Sequence, residues 1–186
     1  RALGIDSGHS CRTALQRAPN AIFIPPRMEI YREYSRRLMS ALRDSTPTLE
    51  QLSVDEAWLD WSAHGFDPRE ALDLRARVRD LTGLSVSVGV ASSKLVAKMA
   101  TEAAKSAPAR VRVVCPGEEE LFLDPLPVEL LWGVGPKTAA RLRSMGMKTI
   151  GSVSATEMRA LQAQFGPRHG RILAEHSYGI DRSQLA

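Results

Sequence analysis

The chain has 186 residues, 44% of them hydrophobic, enough to bury a core and to exclude a disordered tail. Its 25 lysines and arginines against 21 aspartates and glutamates leave a net charge of +4, a lean towards anionic partners that identifies none by itself. Cys11 and Cys115 stand far apart without a CxxC or Cys/His cluster, and no 18-residue apolar run or signal peptide is visible. These features argue against a disulfide framework, a zinc site, membrane insertion and export, so a cytoplasmic protein with reduced thiols is expected. The chain starts on Arg1 without a methionine, which suggests an internal piece of something longer.

In chain order, "SCRTALQRA" reads as a helix, and Ala21 to Ile24 as a short apolar strand stopped by Pro25 and Pro26. Ile30, Tyr34, Leu38 and Leu42 recur every fourth residue and predict an amphipathic helix over Met28 to Arg43. Leu49 to Trp61 is strand material. Asp67, Pro68 and Glu70 then open a helix as N-cap, first residue and capping-box partner, and Gly83 stops it. Leu84 to Ala91 alternates and then turns small and apolar, as a central strand does, and Ser92 or Ser93 caps a helix from about Lys94. Val111 to Cys115 is the last strand; the β-α-β order predicts one helix-backed sheet of three or more strands. After Pro116 only short, glycine-separated helices follow, so a domain boundary is expected at Cys115 to Gly117.

Three stretches carry chemistry. In "LSVDEAWLDW", Asp55 and Glu56 are adjacent, and neighbours in a regular strand face opposite ways, so they can share a ligand only where the strand ends or turns. A carboxylate pair retained among apolar residues calls for a compensating cation, for which Mg²⁺, a hard ion bound by carboxylates and phosphates, is the natural candidate. The plain alternative is an exposed Glu56 on an edge strand with Asp55 capping a turn. Asp60, five residues beyond Asp55, reads as structural.

In "SKLVAKMATEAAK", Lys94, Lys98 and Lys105 fall within about 40° of one another at about 100° per residue, with Leu95, Val96 and Met99 off that face. The ridge is either a solvated helix face, with Glu102 beside Lys98, or a triphosphate site at the carboxyl edge of the sheet. In "LLWGVGPKTAARLRSMG" a Gly-x-Gly turn precedes a helix opened by Pro136, with Lys137 beside its N-terminus. That pattern suits a helix-hairpin-helix gripping nucleic-acid backbone, although a plain αα-hairpin has the same glycines. A looser copy lies at "FGPRHGRILAEHSYG", where His169 lacks the companions of a catalyst.

Taken in order, "SVDEAWLD", "SVGVASSKLVAKMATEAAK" and "LLWGVGPKTAARLRSMGMKTIG" resemble the Y-family translesion DNA polymerases, particularly the bacterial DNA polymerase IV branch. "GIDSGHS" with "APNAIFIPPRMEIYREYS" extends the resemblance to the fingers segment. It implies an α+β fold (or α/β): a polymerase palm with a helix-backed mixed sheet lacking its first strand (28–116), partial fingers (1–27) and an all-α thumb with a helix-hairpin-helix (117–186). By motif position, Asp55 and Glu56 look like catalytic ligands of two Mg²⁺ ions, and Arg1 and Lys105 like contacts to the nucleotide triphosphate. Gly133, Gly135 and Lys137 look like DNA-backbone contacts. The implied partners are primer–template DNA, a deoxynucleoside triphosphate and, through a C-terminal region outside this chain, a sliding clamp, in a bacterial, nucleoid-associated setting.

The family's first catalytic aspartate and its steric-gate aromatic lie upstream of Arg1, and its little finger follows the thumb. The chain is therefore expected to be a fragment that does not extend a primer unaided, whereas its full-length parent does. His9 replaces a usual methionine, and "SAPARV" follows Lys105 where the family continues Pro-x-Gly. The competing reading is a non-catalytic relative that kept the palm and thumb fold for DNA binding.

Overall fold

The computed structural model describes residues 3–5, 8–62 and 67–185. The chain divides between Glu33 and Tyr34 into a small and a large unit.

In the small unit, α1 (Cys11–Arg17) starts where the Ser10 hydroxyl accepts from Thr13 N at 3.1 Å. The expected strand at Ala21 to Ile24 does not form; Ile22 and Ile24 are 88% and 80% exposed. An apolar run becomes a strand only by pairing, and Pro25 and Pro26 offer no N–H for a ladder.

Helix α2 (Met28–Arg43) has the predicted bounds, and in the large unit it buries Leu38, Met39, Ala41 and Leu42. The single expected strand at Leu49 to Trp61 is a hairpin: β1 (Leu49–Gln51) pairs antiparallel with β2 (Ala57–Leu59), Glu50 opposite Trp58. Leu52 and Ser53 both donate their amides to Glu56 O, which closes the turn between them. Helix α3 (Pro68–Thr82) begins with Asp67 as N-cap and Pro68 as its first residue, the Asp67 carboxylate accepting from Arg69 N at 2.9 Å, and ends at Gly83. Strand β3 (Val88–Val90), the crossover helix α4 (Lys94–Ala104) and β4 (Val111–Val113) form a parallel β-α-β unit. Gly89 is required there, because a Cβ would stand 2.2 Å from Thr101 N and 2.3 Å from Ala97 O on α4.

Among the described residues the four strands make two separate pairs rather than one sheet. Between them lies a cleft of about 600 Å³, lined by Ala57–Leu59 of β2 on one side and Val86–Val90 on the other. Each sheet stops there because no strand among the described residues adds to β2 or β3 at this edge.

From Glu119 onward the chain is helical as expected: α5 (Glu119–Leu123), a 3-10 turn (Val128–Leu130), α6 (Pro136–Ser144), α7 (Ile150–Ser154), α8 (Met158–Phe165) and α9 (Pro167–Ser177). Among its described residues the one β-type contact is the bridge between Pro127 and Thr149. Two apolar cores result. One packs α2 on α3 through Leu38, Leu42, Leu74 and Val78; the other joins Leu95, Val96 and Met99 of α4 to Leu123, Leu142, Ile150 and Leu173. The second core runs without a break past Cys115–Gly117. Among the described residues no helix is long and apolar enough to cross a membrane.

Candidate active site and nucleic-acid interface

The hairpin turn meets the geometric demand on the carboxylate pair. Asp55 lies in the bend and Glu56 on the residue before β2, so the two escape strand alternation, and both line the cleft. Asp55 is exposed, with Ser53 Oγ donating to its Oδ1 at 2.7 Å. Glu56 is half-buried, and its compensating cation is Lys98, whose Nζ donates to Glu56 Oε1. Glu102, expected beside Lys98, pairs instead with Lys105 at 2.6 Å. The reason is tertiary: α4 lays Lys98 against the hairpin turn, which no local helical spacing encodes.

Asp60 plays the structural part read for it. Its carbonyl accepts from Thr46 Oγ1 at 2.6 Å and its Oδ1 from Ser62 N at 2.8 Å. Hydrogen bonds from the Ser62 side chain and backbone hold its carboxyl below the usual carboxylate range.

The lysine ridge is divided by its partners. Lys94, with a side chain only 10% exposed, pairs with Glu50 of β1 at 2.6 Å and also donates to Gln184 O. Lys98 and Lys105 line the cleft with the carboxylates, and Lys105, at the far end of α4, is 54% exposed. The base of the ridge is not a free anion site. Ser93 Oγ accepts from Val96 N, and the Asp181 carboxylate, brought back from the end of the chain, accepts from Leu95 N at 3.1 Å. Arg1 lies outside the described residues. After Lys105 the departure "SAPARV" contains Arg110 with φ +50°, the one non-glycine residue in the left-handed region among those described, and Arg110 also lines the cleft.

The same elements position the glycine hairpin. Gly133, at φ +91°, reverses the chain, and Gly135 N-caps α6 without a side-chain hydrogen bond, so no cap side chain occupies the first-turn amides. Gly133, Gly135 and Lys137 are exposed together. Arg143 of α6 pairs with Glu129, and the preceding Trp132 meets Trp58 of β2 edge to face, ring centroids 6.2 Å apart. His176 Nδ1 lies 3.4 Å from Trp132 O. In the second, looser hairpin, Gly166 stands between α8 and α9, and His169 packs against the Phe165 ring.

Residues 1–102, the stretch that holds the hairpin carboxylates and Lys98, match the impB/mucB/samB family. The chain belongs to that family. Residues 129–181, from the glycine hairpin to Asp181, match the thumb domain described for DNA polymerase-iota. The DNA polymerase IV of Moorella thermoacetica is 40% identical over 98% of this chain and 46% of its own length. The crystal structure of DinB from Sulfolobus solfataricus superposes with a TM-score of 0.85 at 28% identity, covering all of this chain and 55% of that one. An insertion ternary complex of Dbh DNA polymerase matches with a TM-score of 0.82, at 28% identity over all of this chain and 55% of its own. The chain thus spans about half the length of these relatives. The Y-family resemblance drawn from three motifs, and the palm-and-thumb α+β fold it implied, agree with these matches.

Among the described residues of this family member, no group of three or more His, Cys, Asp or Glu side chains could hold a metal ion. Two carboxylates still fit a hard cation that takes the rest of its shell from phosphates and water. Motif reading missed four features: the Lys98–Glu56 pair, the Asp181 cap on α4, the left-handed Arg110 and the Trp58–Trp132 contact. Glu56 and Lys98 were each visible in sequence, but 42 residues separate them and only packing joins them.

Proposed function

We propose that this chain carries the carboxylate hairpin and the duplex-gripping thumb of a translesion DNA polymerase, which transfers a nucleotide from a deoxynucleoside triphosphate to a primer 3′-hydroxyl. The observation that carries this is the turn that puts Asp55 and Glu56 together on a cleft shared with Lys98 and Lys105, in a chain of this family. By motif position the segments serve as fingers (1–27), palm (28–116) and thumb (117–186), in a cytoplasmic enzyme.

Asp55 and Glu56 hold divalent cations, Mg²⁺ by the chemistry of the donors. Bound there, such ions neutralise developing phosphate charge and favour the 3′-oxygen as nucleophile. Lys105, the more exposed of the two cleft lysines, sets a positive charge against the triphosphate and stabilises the departing pyrophosphate. Arg1 is assigned the same phosphates by motif position. Gly133, Gly135 and the first turn of α6 offer backbone amides to a DNA phosphate, and Lys137 adds charge without reading sequence. The match to an insertion ternary complex of Dbh supports the same reading.

Primer extension by the gene product that carries this sequence tests it. Asp55→Ala and Glu56→Ala are each expected to reduce extension by about 100-fold or more while leaving duplex binding in place. Unchanged extension by both variants sinks the assignment. Duplex binding by a wild-type protein that never extends a primer favours the non-catalytic relative.

A further inference from the structure

Helix α4 sends two lysines to the carboxylate hairpin, and their surroundings differ. Lys94 is only slightly exposed, pairs with Glu50 and also bonds Gln184 O, so it rivets α4 to β1 and to the Gln184 segment. Lys98, one turn on, lines the open cleft and, among the described residues, has a single partner, Oε1 of Glu56. Among the described residues Glu56 has no other side-chain partner, and none of them engages its Oε2.

We infer that Lys98 is a positioning residue for Glu56: its ammonium pins Oε1 and thereby presents Oε2 to the divalent cation. This rests on the polymerase reading above. Glutamate has three rotatable bonds between its backbone and its carboxylate, and beside open water it samples many rotamers unless something holds it. A carboxylate oxygen held by a donor leaves the other oriented, and partners behind a metal ligand typically change metal affinity or activity about 10–100-fold when removed. The opposing effect is repulsion between the ammonium and the cation. It acts through a solvent-filled cleft, where water and salt screen it, whereas the orienting bond is direct. Orientation is therefore the larger effect, and the sign of the outcome distinguishes the two.

The test uses the gene product that carries this sequence, as Lys98→Met, Lys98→Arg and Lys94→Met. Two quantities are read: Mn²⁺ binding by electron paramagnetic resonance, with a dideoxy-terminated primer–template and matching nucleotide, and the Mg²⁺ and nucleotide dependence of primer extension. Lys98→Met is expected to weaken Mn²⁺ binding and to raise the half-saturating Mg²⁺ concentration by about 10-fold or more, with the nucleotide KM changed by less than about 2-fold. Lys98→Arg, which keeps a cationic donor, restores most of both. Lys94→Met lowers the unfolding temperature without moving metal dependence. If Lys98→Met does not fold, Lys98→Ala, which likewise removes the donor, is expected to shift metal affinity in the same direction. Unchanged or tighter Mn²⁺ binding in the neutral Lys98 variant overturns the inference, as does a change confined to nucleotide KM. Full activity of Asp55→Ala and Glu56→Ala overturns the metal site itself, which separates the two failures.

Discussion

Asp181 shows how one side chain can close a site that helix geometry leaves open. Its Oδ2 accepts from Leu95 N and its Oδ1 from Ser183 N at 2.9 Å. Burial pushes its carboxyl up, but the hydrogen bonds from Ser183 and Leu95 and the nearby His176 outweigh that, and the group sits below the usual carboxylate range. A depressed folded value stabilises the protein fully above the unfolded value, about 3.9, and the contribution is lost as pH falls through the folded value. Asp181→Ala is expected to cost about 1 kcal/mol at neutral pH in urea unfolding, and this difference from wild type shrinks below about pH 4. Gly89→Ala costs more. The new Cβ meets backbone of α4 rather than a flexible side chain, so a loss of about 3 kcal/mol is expected from the same measurement, without change at Asp55 or Glu56.

At the scale of elements, the β1–β2 hairpin and the glycine hairpin are physically joined through Trp58 and Trp132. Trp58 lies two residues beyond Glu56 and Trp132 one residue before Gly133, so the ring contact ties the carboxylate turn to the proposed DNA grip. A double-mutant cycle of Trp58→Ala and Trp132→Ala is expected to show a coupling of about 1 kcal/mol in unfolding free energy. Additive losses would deny the link. Lys137→Glu addresses the grip itself. It is expected to weaken duplex binding to the same extent across unrelated sequences and to lower the slope of log affinity against log salt by about 1, as measured by fluorescence anisotropy.

Over the whole molecule, the core that joins α4 to α6, α7 and α9 makes the β-α-β unit and the helical region mutually dependent. Leu142, fully buried in the helical region, and Leu95, fully buried on α4, belong to the same core. Leu142→Ala is expected to cost about 3 kcal/mol and to lower amide-exchange protection in α4 as well as in α6. Loss confined to α6 would mean that the two regions unfold separately. The composition change near Cys115 marks a change of secondary structure, while the apolar side chains on either side of it still pack together.

Local physics determined much of this protein from its sequence. The four-residue apolar spacing gave α2 its bounds, Asp67 and Gly83 the ends of α3, and Ser93 the start of α4, because each is written in neighbouring residues. The ordered motifs gave the family and the two carboxylates. Long-range packing decided the rest. Leu49 to Trp61 is uniformly strand-like, yet it folds back where the amides of Leu52 and Ser53 find Glu56 O. Ala21 to Ile24 has strand composition but no partner for its ladder. Lys98 turned from Glu102 to Glu56, and Asp181 reached a helix 86 residues away, because charges settle on whichever opposite group or amide the fold brings nearest. Sequence spacing fixes which residues share a face; what that face meets is set only when the chain has packed.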